Sequence, residues 1–510
     1  MHPRGEISEP SRRVAKNTLL LYFRMLLMMT IGLFTSRVIY KSLGIEDLGV
    51  YNAVAGVVMM FTVVTSSVSQ AISRFIAYEL GRGNRDKLSK VFSNSLFIQL
   101  ILSAILVVFV ESFALWFLNH KMLIPEASRS AANWVLQCSM LIMVIQLFSI
   151  PFNATIIAHE RMKAFAYISV LEAVLKLAVA FLLFFSASDK LKTYSVLMVI
   201  VALIVRSSYA AYCHRNFEES RAGISCQKAL LKEMSGFAGW NFFGAAGYIF
   251  NTQGVNILVN LFFGSVANGA RYFATQVENI VRQFVNNFMT AIIPGITKSY
   301  AAGDKKYCYE LVFKGAKFSY LLMLLLCVPC FFEADILLDL WLGEVPEITV
   351  IFVRLTLLGT MADLLGNSLS QLEMATGDVK RYYLIIGTSS LFVFVLSWIA
   401  FRLGAPAWIS YAFFAIVYTV MLVEKLFILK SQIAFPVSEY LKEVIMKSLF
   451  VTLPTAAASA TVYFSMPQSL LRLLLVLIVS SLVLGLSSYA FAMTPGERAY
   501  LRAKLNISKS

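Results

Sequence analysis

Leu43-Gly44-Ile45-Glu46-Asp47-Leu48-Gly49-Val50-Tyr51 is a short turn set between two apolar runs. The chain matches it 220 positions later with Phe263-Gly264-Ser265-Val266-Ala267-Asn268-Gly269. The same gapless offset pairs Gly83-Asn84-Arg85-Asp86 with Gly303-Asp304-Lys305-Lys306. A fainter echo sets Ala158…Lys163 against Ala375…Lys380. Each copy reads as a short outer turn, a polar-striped helix, a turn of small and basic residues, and a further helix. Six helices separate the copies, so the repeat is parallel. Two six-helix lobes related by an axis along the membrane normal are expected, with a cargo site between them. A chance match of a few Gly and basic positions is the alternative, and the loop charges weigh against it.

The chain has 510 residues, 58% of them hydrophobic and 14% charged. A soluble domain carries about 25% charged residues, so this is an integral membrane protein with little mass outside the bilayer. At about 20 apolar residues per span, fourteen spans are predicted: 17–40, 48–73, 91–118, 131–158, 164–186, 194–213, 230–262, 266–293, 308–332, 348–374, 382–401, 406–429, 445–464 and 470–493. The expected fold class is all-α and polytopic. Residues 1–215 form an N-terminal lobe of spans one to six, 216–430 a C-terminal lobe of spans seven to twelve, and 431–510 hold spans thirteen and fourteen with a tail. The first run follows Arg12, Arg13 and Lys16, exceeds a signal-peptide core and lacks a small-residue cleavage site, so it reads as a retained helix.

With the first span starting inside, about 27 Lys and Arg fall in the cytoplasmic loops and termini against six in the outer loops. That is a strong positive-inside bias, predicting both termini, Cys226 and Cys308 on the cytoplasmic side. The net charge of +15 is therefore topogenic, and no loop is long enough for a nucleic-acid recognition module. The outer loop after the ninth span is wholly acidic: Glu333, Asp335, Asp339, Glu344 and Glu347. Short outer loops without paired carboxylates argue against a membrane-embedded sugar polymerase or ligase. No cofactor or metal is expected. The six cysteines form no disulfide framework. Cys327-Val328-Pro329-Cys330 reads as small apolar filling around a proline kink.

Arginines interrupt the apolar sequence at Arg24, Arg37, Arg206, Arg271, Arg282 and Arg354. Each costs roughly 2.5–3.5 kcal/mol at a helix centre, and cations facing a membrane cavity suit an anionic cargo. Arg37, Arg206 and Arg354 lie near span ends, where snorkelling to the surface also accounts for them; Arg24, two turns into the first span, is open to the same alternative. In the eighth span Arg271, Thr275, Glu278, Arg282, Asn286 and Thr290 recur every three or four residues, one helical face. Asn279, Gln283 and Asn287 widen it. The seventh span has Thr252, Asn256 and Asn260; the tenth has Thr356, Thr360, Asp363, Asn367 and Gln371; the second has Thr62, Thr65, Ser66, Ser69 and Gln70. Glu172 and Lys176 suit an ion pair within the fifth span. Interhelical hydrogen bonding is the competing account of the Ser, Thr and Asn positions. The candidate binding residues are Arg24, Asn256, Arg271, Arg282, Gln283 and Asn286, with Asp363 and Glu278 as candidate ion-coupling carboxylates.

The Leu43–Tyr51 turn, its copy at Phe262–Arg271 and the six-plus-six-plus-two layout resemble the polysaccharide-flippase branch of the multidrug/oligosaccharidyl-lipid/polysaccharide exporter superfamily. Asn251–Gly264 is similar to lipopolysaccharide O-antigen translocases. The resemblance spans nearly the whole chain, and its motifs are structural turns. It implies a non-enzymatic flippase that moves polyprenyl-diphosphate-linked oligosaccharide from the cytoplasmic to the outer leaflet by alternating access. Membrane lipid, H+ or Na+ and a polysaccharide polymerase are the implied partners. It implies a cationic cavity and, for spans thirteen and fourteen, a groove for the lipid tail. One departure stands out: many relatives carry an acidic residue in the seventh span, associated with ion coupling, whereas Thr252–Asn260 offers only amides and a hydroxyl. A multidrug cation/ion antiporter of the same superfamily and a peptidoglycan lipid-precursor flippase are the alternatives.

Overall fold

The computed structural model describes residues 9–81, 84–159, 161–186, 189–221, 223–234, 249–344, 346–377 and 380–499, with residues 242 and 247. Side chains are described from residue 28 onward, except at positions 63, 70, 74, 77, 81, 162, 287, 290, 291, 294, 298 and 301. Every element among these residues is helical. The chain divides into two compact units, Met1–Phe242 and Phe243–Ser510. Residues 431–510 belong to the second of these units. Among the described residues ten helices are long and apolar enough to cross a membrane, or eleven if the bent pair Met28–Met59 and Val64–Leu80 is one span. The expected fourteen are not reached there. The seventh predicted span falls partly on residues outside the described set, and its end is continuous with the eighth.

The first unit contains α1 (Glu9–Met59), α2 (Thr62–Gly81), α3 (Arg85–Phe109), α4 (Leu115–His120), α5 (Glu126–Ala158), α6 (Met162–Leu182) and α7 (Lys190–Asn216). Helix α5 touches α1, α2, α3, α6 and α7 and forms the centre of the unit. Val68, Ile72 and Ile76 of α2 close on Leu88 and Val91 of α3 and on Ala154 of α5. Phe92, Phe152, Ile156, Tyr209 and Cys213 form a second core.

The second unit contains α8 (Val255–Ala301), α9 (Lys305–Phe332), α10 (Ala334–Leu342), α11 (Glu347–Leu365), α12 (Asn367–Thr376), α13 (Lys380–Arg402), α14 (Ile409–Ile433), α15 (Val437–Tyr440), α16 (Lys447–Ser465) and α17 (Leu470–Ser487). Val255, Val259, Val393, Val417 and Met421 fill the space between α8, α13 and α14. Ile296, Val312, Leu369, Leu426 and Tyr440 join α8 and α9 to α12, α14 and α15.

The repeat has a backbone signature. Helix α1 breaks at Gly44 (φ 79°, ψ 174°) and α8 at Gly264 (φ 79°, ψ −170°). That region is essentially closed to residues with a Cβ, and each glycine has open space around it, so conformation rather than crowding demands it. The expected turn between spans is a single-residue break within one helical run in both copies. The second predicted span, 48–73, is itself interrupted at Met60–Phe61. The caps repeat too. The Asn84 side chain accepts from the Lys87 N–H at the start of α3, and Asp304 accepts from the Tyr307 N–H at the start of α9.

The last two long helices are held to α9 at both ends. Arg472 of α17 donates from Nε and Nη2 to the two oxygens of Glu333, at 2.9 and 2.8 Å, with both side chains buried. Lys317 of α9 donates to the Ala492 carbonyl at 2.8 Å and pairs with Glu497 at 3.4 Å. Between them the Tyr320 and Thr452 hydroxyls meet at 3.0 Å. Glu333 is therefore not a loop residue free to meet solvent. Its neighbour Asp335 pairs with Arg354 at 2.7 Å, and Arg354 also donates to the Phe331 and Phe332 carbonyls that end α9. Arg354 closes a helix end rather than snorkelling.

Candidate substrate and ion site

The face expected on the eighth span forms on the C-terminal limb of α8, past the Gly264 break. Side chains one turn apart stack on one side of a helix, and this brings Arg282 onto Glu278, Nε to Oε1 at 2.7 Å. The same guanidinium donates from Nη1 to Oδ2 of Asp363, on α11, at 2.6 Å. Asp363 sits just before Gly366, where α11 gives way to α12. The three side chains are only 17–21% exposed. One cation shared by two carboxylates in a membrane-spanning helix is a strongly bound arrangement, because charge-assisted bonds shorten and strengthen out of water.

Two further charged groups complete the cluster. Lys425 of α14 is 6% exposed and interacts electrostatically with Asp363 and Arg282. Its stem lies across Gly366: a Cβ there would stand 3.0 Å from Nζ and 3.1 Å from Cδ, so a side chain at this position would have to displace the lysine slightly. Glu373 of α12 is fully buried, and Tyr382 of α13 faces both Glu373 and Asp363 while donating to Ser370 at 2.8 Å. Asp363, Tyr382, Tyr383, Ser390 and Tyr418 line a cavity of about 230 Å³.

Nearer the break, Arg271 donates to the Thr252 carbonyl at 3.2 Å and lies 5.2 Å from the centre of the Tyr411 ring. Thr252 belongs to a π-helical turn, Phe250–Gly254, whose wider winding turns a carbonyl out of the regular ladder. Arg271 and Glu278 line one small cavity with Asn251, Thr252, Thr356 and Tyr411.

The other expected site residues fall differently. Gln283 and Asn286 are exposed on α8 beside Arg282. Asn256 is 4% exposed and accepts from Asn268 at both its backbone carbonyl (3.0 Å) and its side-chain oxygen (2.7 Å). Those bonds strap the two limbs of α8 across Gly264. Arg24 lies in α1, and its side chain is outside the described residues. Arg206 stacks on Phe152, 4.1 Å from the ring centre.

Residues 14–300 match the family model described as polysaccharide biosynthesis protein, and 246–399 match the MatE model. The chain belongs to the polysaccharide biosynthesis protein family. Its long apolar helices make it a multi-pass membrane protein. A curated relative, the uncharacterized membrane protein EpsK of Bacillus subtilis (strain 168), is 21% identical over 322 residues, 62% of this chain and 63% of that protein. The match thus spans less than two thirds of EpsK. Among solved structures, the inward closed form of the lipid II flippase MurJ aligns with TM-score 0.70 at 12% identity, over 93% of this chain and 98% of that one. An inward-facing multidrug resistance MATE transporter aligns with TM-score 0.62 at 13% identity, over 80% and 94%. At these identities the structural likeness speaks for the fold. Arg271, Glu278 and Arg282 lie where the two matches overlap, whereas Asp363 lies in the stretch matched by MatE alone.

Four charged members of this architecture are not among the residues that the sequence pattern singles out: Lys317, Lys425, Arg472 and Glu373. Each sits within an apolar span, and the rule that marks the arginines applies equally to them.

Proposed function

We propose that this family member is a flippase for polyprenyl-diphosphate-linked oligosaccharide, the repeat unit of an O-antigen, capsule or exopolysaccharide. It carries the unit from the cytoplasmic to the outer leaflet by alternating access of lobes 1–215 and 216–430, with 431–510 serving the lipid tail. The observation that carries the reading is Arg282, a largely buried guanidinium with two carboxylate partners. A diphosphate presents the same paired oxygens as those carboxylates, and the guanidinium fork fits either. Cargo therefore binds by competing with Asp363 and Glu278 for Arg282. Arg24 on the first lobe and Arg271 on α8 are the proposed additional contacts, and Gln283 and Asn286 flank the fork.

This exchange links cargo to ions. Glu278, Asp363 and Glu373 against Arg282 and Lys425 leave the ionised cluster one negative charge in excess. A carboxylate released from Arg282 is freed to take H+ or Na+ in place of the guanidinium. Asp363, facing the 230 Å³ cavity, is the proposed coupling carboxylate, with Glu278 beside it. The membrane is the bacterial inner membrane, with both termini cytoplasmic; exposed Cys226 is the thiol that reports this, since Cys308 is buried.

The test is flipping of an undecaprenyl-diphosphate-linked sugar by purified protein in vesicles. Losing one buried charge-assisted bond is worth about 1.5–3 kcal/mol, roughly 10- to 150-fold in affinity. Arg282→Ala is expected to abolish flipping at normal abundance, and Arg282→Lys to restore only part of it. Full flipping by Arg282→Ala sinks the reading. If Arg282→Ala instead lowers abundance and Glu278→Gln restores it, the cluster is structural. The MatE match favours a second reading, a multidrug cation/ion antiporter, in which carboxylates rather than Arg282 take the cargo; ethidium efflux that depends on Asp363 and survives Arg282→Ala selects it. Lipid II flipping by the same vesicles selects the peptidoglycan-precursor alternative.

A further inference from the structure

The first unit has a cavity of its own, of about 480 Å³, between α2, α5, α6 and α7. Its chemistry differs from the Arg282 cluster. Thr65, Ser66 and Ser69 come from α2, Gln146, Ser149 and Asn153 from α5, and Ser169, Glu172 and Lys176 from α6, with the rings of Phe165 and Tyr209 among them. The Glu172–Lys176 pair is closed at 2.6 Å, and its side chains remain 38% and 43% exposed. Charges on a membrane helix are tolerated where they face water or polar groups, not lipid, so this cavity is wet. The pair neutralises itself and leaves no net charge to attract an ion. Arg206 does not line the cavity; it is turned onto Phe152.

The hydrogen-bonding inventory is lopsided. Ser149, Ser169 and Thr65 each donate their hydroxyl proton to a carbonyl of their own helix, at 2.9, 2.7 and 3.0 Å, which leaves their lone pairs as acceptors. Asn153 Oδ1 is buried with no hydrogen-bond partner, and a buried orphan acceptor costs about 1–3 kcal/mol until a donor reaches it. A ligand for this cavity is thus uncharged, rich in hydroxyl donors and flat enough on one side to lie against aromatic rings. The volume is within the range of small-molecule sites.

We propose that this cavity is a sugar subsite, which takes a neutral pyranose ring of the lipid-linked cargo. The source of the sugar rests on the flippase reading above. Asn153 and Gln146 are the proposed specificity determinants.

The experiment measures binding of undecaprenyl-diphosphoryl-N-acetylglucosamine and of bare undecaprenyl diphosphate to the full-length protein in nanodiscs. Wild type is expected to prefer the glycosylated lipid. Asn153→Leu and Gln146→Leu are expected to lower that preference about tenfold and to leave affinity for the bare lipid unchanged. Ser169→Phe, which fills the cavity without removing an amide, is expected to do the same and stands in if an amide variant fails to fold. An unchanged preference in folded Asn153→Leu and Ser169→Phe overturns the proposal. Equal losses for both lipids overturn it as well, and point to a lipid-tail groove. Arg282→Ala separates the two readings: bare-lipid affinity untouched by it sinks the diphosphate clamp, while the sugar preference still tests the subsite.

Discussion

The two cavities occupy matching places in the two repeats and have opposite chemistry. At the spacing that pairs Ala158 with Ala375, Gln146 corresponds to Asp363, Phe165 to Tyr382, Ser169 to Ile386 and Val201 to Tyr418, and all eight line their respective voids. The void is therefore a property of the duplicated helix packing. What fills it is decided by a few side chains. In the first unit an amide and hydroxyls surround a self-neutral pair. In the second a carboxylate stands against Arg282 and Lys425, and Ile386 replaces the serine. One fold has produced a neutral wet pocket and a charged one.

The comparison breaks most directly at Asp363. Asp363→Asn removes the charge that answers Arg282 and Lys425 but keeps the shape. In proteoliposomes it is expected to abolish the response of flipping to an imposed H+ or Na+ gradient, whereas Gln146→Leu in the matching position leaves that response intact. Gradient-driven flipping that persists in Asp363→Asn, or disappears in Gln146→Leu, undoes the division of labour between the cavities.

The units also differ in what is fastened to them. Only the second carries α16 and α17, pinned by the bidentate Glu333–Arg472 pair. Removing one partner leaves a buried charge alone, a loss of about 3–5 kcal/mol. Arg472→Ala or Glu333→Ala is expected to lower the detergent-solubilised melting temperature and the amount of inserted protein. Replacing both with apolar residues, Glu333→Leu with Arg472→Met, is expected to recover most of it. If the single variants are as stable as wild type, the two helices are held by their apolar contacts with Tyr320, Leu324 and Val328 alone.

Next in size come the glycines that define the repeat. Gly44→Ala and Gly264→Ala force a Cβ into a backbone region that costs of order 1–3 kcal/mol, with nothing nearby to clash. Both variants are expected to lose comparable stability in the same thermal assay. A loss at one position and none at the other means that only one break is a fixed part of the fold.

Much of this is legible in the amino-acid sequence. The 220-residue spacing announces two breaks with the same φ and ψ, and the Asn84 and Asp304 caps fall on the same offset. The i,i+4 relation of Glu278 and Arg282 is visible because helical periodicity alone supplies it. Arg282 with Asp363 is not, since α8 and α11 are separated by α9 and α10 and only packing brings them together. The same is true of Lys425, and of Arg472 with Glu333, where an acid in an apparent outer loop proves to be the buried partner of a residue on the last long helix. The cavity in the first unit draws on four helices and has no motif. The Asn256–Asn268 contact is hidden for a different reason: periodicity identifies a polar face but does not say whether that face meets a ligand or its own helix across a break.

The last difference between the repeats lies at that break. Gly264 is bridged by Asn268, which donates to the Asn256 side chain and carbonyl. At the same offset the first unit has Leu48 and Ser36, and the Ser36 hydroxyl donates back to the Leu33 carbonyl within its own limb. The first break is steadied elsewhere, by Ser128 of α5 donating to Asp47 at 3.2 Å. Asn268→Leu grafts the first unit's residue onto the second. Hydrogen bonds between membrane helices average about 0.6 kcal/mol and reach about 1.7, so a small loss of stability is expected, below that of Gly264→Ala. The strap also fixes the angle at which the limb carrying Arg271, Glu278 and Arg282 leaves the break. Flipping by Asn268→Leu is therefore expected to fall by more than its abundance does, while Leu48→Asn, the reverse graft, leaves flipping unchanged. Flipping that falls only in step with abundance in Asn268→Leu would show that the glycine alone sets the geometry of the charged limb, and that the asymmetry between the two breaks has no bearing on transport.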